Sequence, residues 1–560
     1  MSVAPSDRPE GPVPHLAARG RRAWRVVRER GPSGAQFWFI ALLMGVASGY
    51  AAVGFMTAIR ALQTFLYGTE DPRLLHSFAA TLPWWWVLAL PAIGGLVVGL
   101  ILDRFTPDGR VRSVADVIEA AALREGRVER KAGLASMLSS LITLSSGGSS
   151  GREGPVVHIT GMIAGWISNR INADGITGRE LLGCAVAAGV AASFNAPIAG
   201  ALFAMEVINR HFSVHAFAPI TISAVAGAVV SRTHFGDVTE FALEEGGVLA
   251  FYVELPAFLL LGLLCGVVAV ILMRAVFFCD DVGTAVQDRT GLPRWARPAL
   301  AGLLLGAVAI AFPHIIGVGY ETTSAALSGG LGLREAVVFA AVKVAAVAMT
   351  VGGRMGGGVF SPALMVGALT GLAFGILATG VFPEVSGSET LYALAGMGAV
   401  AAAVLGAPIS TTLIVFELTG DWQTGLAVMV AVSMATAVGS RLMGGSFFDR
   451  QLARRGQQIG AGPQAYIPAT IRVTSHMKAL SHPKAPATER VEAAMAEGRW
   501  IEADATFATA LPVLRESGAE FVPVVRVEDG APRPVAVLLA VDAFRAFNRA
   551  LAARAAEEHA

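Results

Sequence analysis

A glutamate set among glycines in an otherwise apolar stretch carries more chemistry than any other residue of this chain. Glu153 lies in the run SSGGSSGREGP, where Gly151 and Gly154 permit an unusual backbone path and Pro155 suits the first turn of a helix. A helix starting there leaves amide N–H groups without intrahelical acceptors, and its dipole puts partial positive charge beside Glu153. Away from water, such an end binds an anion, either a solute or the carboxylate of Glu153 itself. A second run, VGGRMGGGVFSP, repeats the construction with Gly356, Gly357 and Gly358 ahead of Val359, Phe360, Ser361 and Pro362. No acid accompanies that copy. Two helix starts of this kind, opposed at mid-membrane, would form an anion pocket from backbone dipoles alone. Without a full positive charge, an ion enters such a pocket and also leaves it quickly.

The elements that must position these ends are themselves repeated. The first run leads to AASFNAPIAGALFAME and the second to AAAVLGAPISTTLIVFE. Pro197 and Glu206 are nine residues apart, and so are Pro408 and Glu417. A duplicated set of interrupted apolar segments points to a transporter-type site near the bilayer midplane. Glu206 and Glu417 hold equivalent places, so a shared structural job is expected of them: accepting backbone or hydroxyl hydrogen bonds.

Composition agrees with a membrane setting. Of 560 residues, 54% are hydrophobic and 15% charged, where a soluble protein carries about 25% charged residues. Mean hydropathy is +0.59. Long, lightly charged segments run over 36–58, 83–102, 254–273, 297–312 and 336–351, several near the ~20 residues that cross a bilayer. Segments around the glycine breaks are too short or interrupted, as half-helices buried in protein are. Trp84–Trp86 at one segment's start read as an interfacial anchor. A net charge of +1 and the apolar bulk exclude nucleic acid as a partner; membrane lipid is the expected surroundings.

Three regions follow. Residues 1–35 form a basic lead-in with Arg19, Arg21, Arg22, Arg25, Arg28 and Arg30, including a short helix over AARGRRAWRVVRER. Residues 36–456 are the membrane body, and 457–560 a more polar tail. Arg454 and Arg455 follow the last apolar segment, so the positive-inside tendency places both ends in the cytoplasm. The polar, Pro-rich opening reads as no signal peptide. Alanine, glycine and arginine usage fits a bacterial inner membrane. In the tail, a helix with Ala508, Leu511 and Leu514 precedes the strand-like runs FVPVVRV and PVAVLLA and a final helix. Cys184, Cys265 and Cys279 lack metal-ligand spacing and read as apolar packing. Neither a metal nor a cofactor is expected.

GREGP and GGGVFSP, each followed by Ala-Pro-Ile and a glutamate, resemble the motifs of the CLC family of chloride channels and proton-coupled chloride transporters. The likeness covers the membrane body, and the tail's helix–strand–turn–strand–helix order resembles one degenerate CBS module. The resemblance implies an all-α multispanning fold of two inverted halves with broken helices, plus a small α/β cytoplasmic tail. It also implies a homodimer with one pore per subunit, with chloride or a similar small anion as the transported partner. Glu153 matches the family's gating glutamate, which occupies an anion site and swings away when protonated. The amides of Val359 and Phe360 match donors of the central anion site. Those of Arg152, Glu153 and Gly154 match the outer site, where Gly151 and Pro155 complete the helix end.

Three positions depart from the family pattern. The first family motif aligns with RSVADVIEA, which puts Arg112 where an ion-coordinating serine belongs, with Ser113 one place off. The family's ion-facing tyrosine aligns with Phe448. The position after Glu206, a proton-relay glutamate in coupled members, is Val207, which cannot titrate. Passive or weakly proton-coupled anion conduction gated by Glu153 is therefore the expected function, with proton/chloride exchange as the alternative. A remote rival is a membrane-embedded hydrolase using Ser149 or Ser150 with His158; that spacing is short and lacks an orienting third group. Arg354 reads as a solvated vestibule charge. Lys343, inside an apolar span, is expected to face the protein interior or to snorkel.

Overall fold

Both copies of the repeat fold into the same succession of elements in the computed structural model, which describes residues 34–559 except 70, 72–73, 237–250, 385, 458, 461–462 and 529–530. The arginine-rich lead-in and its expected short helix lie outside the described residues. In the first copy, helix Arg130–Ser145 ends at a glycine turn, helix Glu153–Arg170 begins, and Gly175–Phe194 follows. Asn195 then turns in the left-handed region (φ 57°), and a short helix starts at Pro197. In the second copy the order is Leu333–Gly352, a glycine turn, Phe360–Val381, Glu389–Leu405, left-handed Gly406 (φ 68°) and helix Pro408–Thr419. Asn and Gly tolerate left-handed backbone, and proline pre-sets the first helical turn, so each break is encoded locally. One detail differs: the first short helix passes into a π-turn, Ala204–Asn209, which carries Glu206 and Val207.

Eight helices among the described residues are long and apolar enough to span a membrane, including Gly34–Tyr67, Trp84–Phe105 and Val253–Thr290. They cover four of the five segments expected from hydropathy. The fifth, near 297–312, forms the shorter helix Ala296–Ala311. Helices of the interior pack backbone to backbone. A methyl group on Gly371 would lie 2.1 Å from the carbonyl oxygen of Tyr392, so helices Phe360–Val381 and Glu389–Leu405 need glycine at their contact.

The halves are stitched together by equivalent residues. Gly151 and Gly358 exchange reciprocal amide–carbonyl hydrogen bonds, both 2.7 Å. The Glu206 carboxylate accepts from the amides of Ile409 (3.0 Å) and Ser410 (2.8 Å), and from the Ser410 hydroxyl at 2.8 Å. Glu417 accepts from the amides of Ile198 (3.0 Å) and Ala199 (2.7 Å). Each glutamate thus caps the proline-started helix of the other half, the structural role expected of the pair.

The tail forms a four-stranded sheet in the order β1–β4–β3–β2, with β1 Lys478–Ala479, β2 Ile501–Glu502, β3 Phe521–Glu528 and β4 Ala531–Leu539. Helices Phe507–Ser517 and Ala540–His559 flank it. Phe507, Ala510, Leu511 and Leu514 are buried against Val522 and Val524. The stretch around SHMKALSHPKAP, a poor match to a CBS-type module by sequence, supplies β1.

Candidate functional site

Helix Glu153–Arg170 begins with Glu153 in its first turn, but the carboxylate does not stay with its own helix. It reaches across the half-to-half junction to helix Phe360–Val381. The Ser361 hydroxyl donates a hydrogen bond to Oε1, and the Ser361 amide lies 3.4 Å from Oε2. Arg152 Nε is 3.9 Å from Oε1. The second copy has no acid of its own, and the acid that rests on its helix end is supplied by the first. Glu153 is 4% exposed, so no bulk water screens this contact.

A cavity of about 90 Å³ ends on this carboxylate. Its walls include Ser113, Glu153, Gly154, Val359, Phe360 and Phe448, six of the residues singled out from sequence. Phe360 packs edge-on against Phe194, with ring centroids 4.8 Å apart. Phe448 is buried in helix Phe447–Ala453, which Ser446 caps through the Asp449 amide. The first-turn amides of helix Phe360–Val381 lack intrahelical acceptors, so this end of the cavity is lined by donors.

Other expected site residues lie elsewhere. Arg112 does not line this cavity: its guanidinium pairs with Asp108 at 2.8 Å and approaches Asp116 at 3.8 Å. The reason is register. Ser113 is the N-cap of helix Val114–Leu123 and its amide donates to Asp116, which turns Arg112 away from the cavity, toward Asp108 and Asp116, and Ser113 toward Gly154. Gly151 is occupied in the bridge to Gly358, and Pro155 is buried within the helix start. Val207 is buried in the π-turn and does not line the cavity. Arg152 faces a second, smaller cavity of about 50 Å³, with Arg60, His76, His314, Tyr320 and Glu321. Its guanidinium donates to the Ser193 carbonyl at 3.0 Å and sits 5.0 Å from the Tyr320 ring centre. In that cavity, burial and the neighbouring His76 push His314 down to about 4, so it is neutral near pH 7.

The sequence reading missed Ser361 as the partner of Glu153. The alignment of the copies puts Ser361 opposite Gly154, so nothing in the sequence points from it to Glu153. Lys343 is buried and donates to the carbonyls of Ile315 (3.2 Å) and Gly317 (3.0 Å), resolving its place in the protein interior. The Ser150 hydroxyl donates to the Gly356 carbonyl, and no hydrogen bond joins Ser149 or Ser150 to His158, so the hydrolase pairing is not assembled.

Interrupted helices in an inverted repeat, with a small cavity closed by a carboxylate on an opposed helix end, define a membrane transport protein of the broken-helix type. The chain belongs to the voltage gated chloride channel (CLC) family, whose model matches residues 94–440. It is 32% identical over 434 residues to a ClcB-like chloride channel protein of Ralstonia nicotianae, covering 77% of this chain and 99% of that one. It is 29% identical to the voltage-gated ClC-type chloride channel ClcB of Escherichia coli O127:H6, over 74% of this chain and 98% of that one. Two solved structures share the fold. One, a slow cyanobacterial Cl⁻/H⁺ antiporter, has a TM-score of 0.66 at 22% identity, covering 75% of this chain and 97% of its own. A eukaryotic CLC transporter aligns with a TM-score of 0.64 at 18% identity, over 93% of this chain and 98% of its own. These relatives are channels and transporters rather than enzymes.

Proposed function

We propose that this protein conducts chloride or a similar small monovalent anion across the cell (inner) membrane, passively or with weak proton coupling, and that Glu153 is the gate. The observation that carries the proposal is the Glu153 carboxylate resting on the first turn of helix Phe360–Val381, where it holds the place of an anion. Protonation removes its charge, weakens its hold on that helix end and yields the place to a solute anion. The amides of Val359 and Phe360 then supply the central station, with Ser113 and Phe448 in its wall. Gly151, Arg152, Gly154 and Pro155 frame the opposite, outer helix end. Two subunits pair as a homodimer in this reading, both termini are cytoplasmic, and residues 36–456 conduct while 457–560 form a CBS-like cytoplasmic module.

Val207 supports the passive reading, because no group there relays a proton. One observation favours exchange instead. His158 is 2% exposed, neither ring nitrogen has a hydrogen-bond partner among the described residues, and it lines a cavity of about 150 Å³ with Asp116, Glu119 and Glu129 beside Arg112, Arg124, Arg127 and Arg455. Reconstitution with a chloride gradient, recording anion efflux and proton uptake together, separates the two. Passive conduction gives chloride efflux without uphill proton movement. Stoichiometric uphill proton uptake would establish exchange and end the passive reading.

A further inference from the structure

Thr143 and Thr350 stand eight residues ahead of Gly151 and Gly358, so they hold equivalent places in the two halves. Both are fully buried, and each makes the same two contacts. The Thr143 carbonyl accepts the Gly148 amide at 2.7 Å, where its own glycine break begins. The Thr143 hydroxyl accepts the Gly356 amide at 2.9 Å, in the break of the other half. Likewise the Thr350 carbonyl accepts the Met355 amide at 3.0 Å, and its hydroxyl accepts the Ser149 amide at 3.2 Å. Gly148 and Met355 are equivalent positions, and so are Ser149 and Gly356. Each threonine therefore clips the two breaks together.

A non-helical segment has no ladder to satisfy its amides, and a buried amide must find an acceptor. Thr350 donates its own hydroxyl proton to the Ala346 carbonyl at 2.8 Å, which leaves an oxygen lone pair for Ser149. The gripped amides lie four residues ahead of Glu153 and Phe360, where the two opposed helices begin. What the clips fix is thus the spacing of the helix ends. The second break has further support. The Ser140 hydroxyl accepts the Gly357 amide at 3.1 Å, and a methyl group on Gly356 would meet the Ser140 Cα at 2.5 Å. Arg354, just before these glycines, is not the solvated charge its sequence context suggests; its side chain is 15% exposed and lies 3.7 Å from Asp280. The first break, which leads to Glu153, has Val347 at the place equivalent to Ser140.

We infer that Thr143 and Thr350 are positioning residues whose hydroxyls set the gap between the opposed helix ends, and with it which small anions fit there and how readily the Glu153 carboxylate leaves. The inference rests on the conduction reading above and adds to it two residues that stand behind the helix ends. A binding constellation works within about 0.5 Å of its productive geometry. Without the hydroxyl, the orphaned amide of Ser149 or Gly356 gains a new acceptor only if its break moves. That movement is passed along four residues to the helix start.

The test compares full-length variants in vesicles, each first shown to be folded by its thermal unfolding in detergent. Thr350→Val keeps the shape of the side chain and deletes the hydroxyl. It changes the flux ratio of chloride to nitrate by about 2- to 10-fold and lowers the acid stimulation of flux by a similar factor, the effect of one hydrogen bond. Thr350→Ser keeps the hydroxyl and holds both readings within about 2-fold of wild type. Thr143→Val changes the ratio by about 2- to 3-fold, because Ser140 still holds Gly357. That better-supported break carries the test if Thr350→Val does not reconstitute. A wild-type ion ratio and acid stimulation in the valine variants would overturn the positioning role while leaving conduction intact. Serine variants as disturbed as the valine ones would overturn it too, since the methyl group would then be what matters. Wild-type vesicles that pass no chloride would instead overturn the conduction reading.

Discussion

Gly151 and Gly358 occupy equivalent places in the two halves, and each donates its amide to the other's carbonyl at 2.7 Å. Glu206 and Glu417 are equivalent too, and each caps the helix started by the other half's proline. In both of these pairs the shared residue holds the halves together. Two places on from those glycines the copies part: Glu153 in one half, Phe360 in the other. The carboxylate crosses to the helix end that lacks an acid, and the phenyl ring packs on Phe194 as cavity wall. Duplication built the scaffold, and divergence at this position left the carboxylate of one half resting on the helix end of the other.

The largest effects should come from breaking the symmetric pairs. Glu206→Ala strips three donors of their acceptor and Glu417→Ala strips two, and hydrogen bonds to a charged group contribute about 1.5–3 kcal/mol each. Thermal unfolding in detergent should drop markedly for both, and more for Glu206→Ala. Equal stability with altered ion selectivity would reverse the assignment of these residues as structural.

Equivalent glycines should respond unequally. A methyl group at Gly151 would lie 2.6 Å from Glu153 Oε2 and 3.1 Å from the Ser361 amide, where the carboxylate meets the opposed helix end. Gly151→Ala should therefore push the carboxylate aside and reduce the acid stimulation of flux by about 2- to 5-fold, overpacking being relieved by that movable side chain. At Gly358 the methyl group would meet the Gly154 amide nitrogen at 3.0 Å, which is backbone. Gly358→Ala should cost about 1–3 kcal/mol of stability and leave the pH response in place. Flux assays on both variants sharpen the contrast or erase it.

A smaller effect is expected at Phe448, which lines the cavity without a polar group. Phe448→Tyr adds one hydroxyl donor and should change the preference among chloride, nitrate and fluoride by about 2- to 10-fold, the worth of one hydrogen bond. An unchanged ion ranking would remove Phe448 from the ion's path.

Much of this architecture is legible in the chain because its signals are local. Glycine runs, Pro155, Pro197, Pro362 and Pro408 mark the helix starts, and repetition marks the halves. The capping role of Glu206 and Glu417 follows from their equivalence. What sequence does not show is which residue of one half meets which of the other. The contact of Glu153 with Ser361 spans 208 positions, and no local period links the two. Arg112 and Ser113 illustrate the limit within one motif, since a single cap decides which of two neighbours faces the cavity. In the tail, β1 and β2 are two residues long, too short for any alternation to register.

Chloride flux through purified, reconstituted protein, compared between wild type and Glu153→Gln from neutral to acidic pH, tests the central claim most directly. The account predicts wild-type flux that rises as the pH falls, and Glu153→Gln flux that is already high at neutral pH and nearly flat. A glutamine variant that keeps the wild-type pH response would contradict it, and would move the gate away from the carboxylate on the opposed helix end.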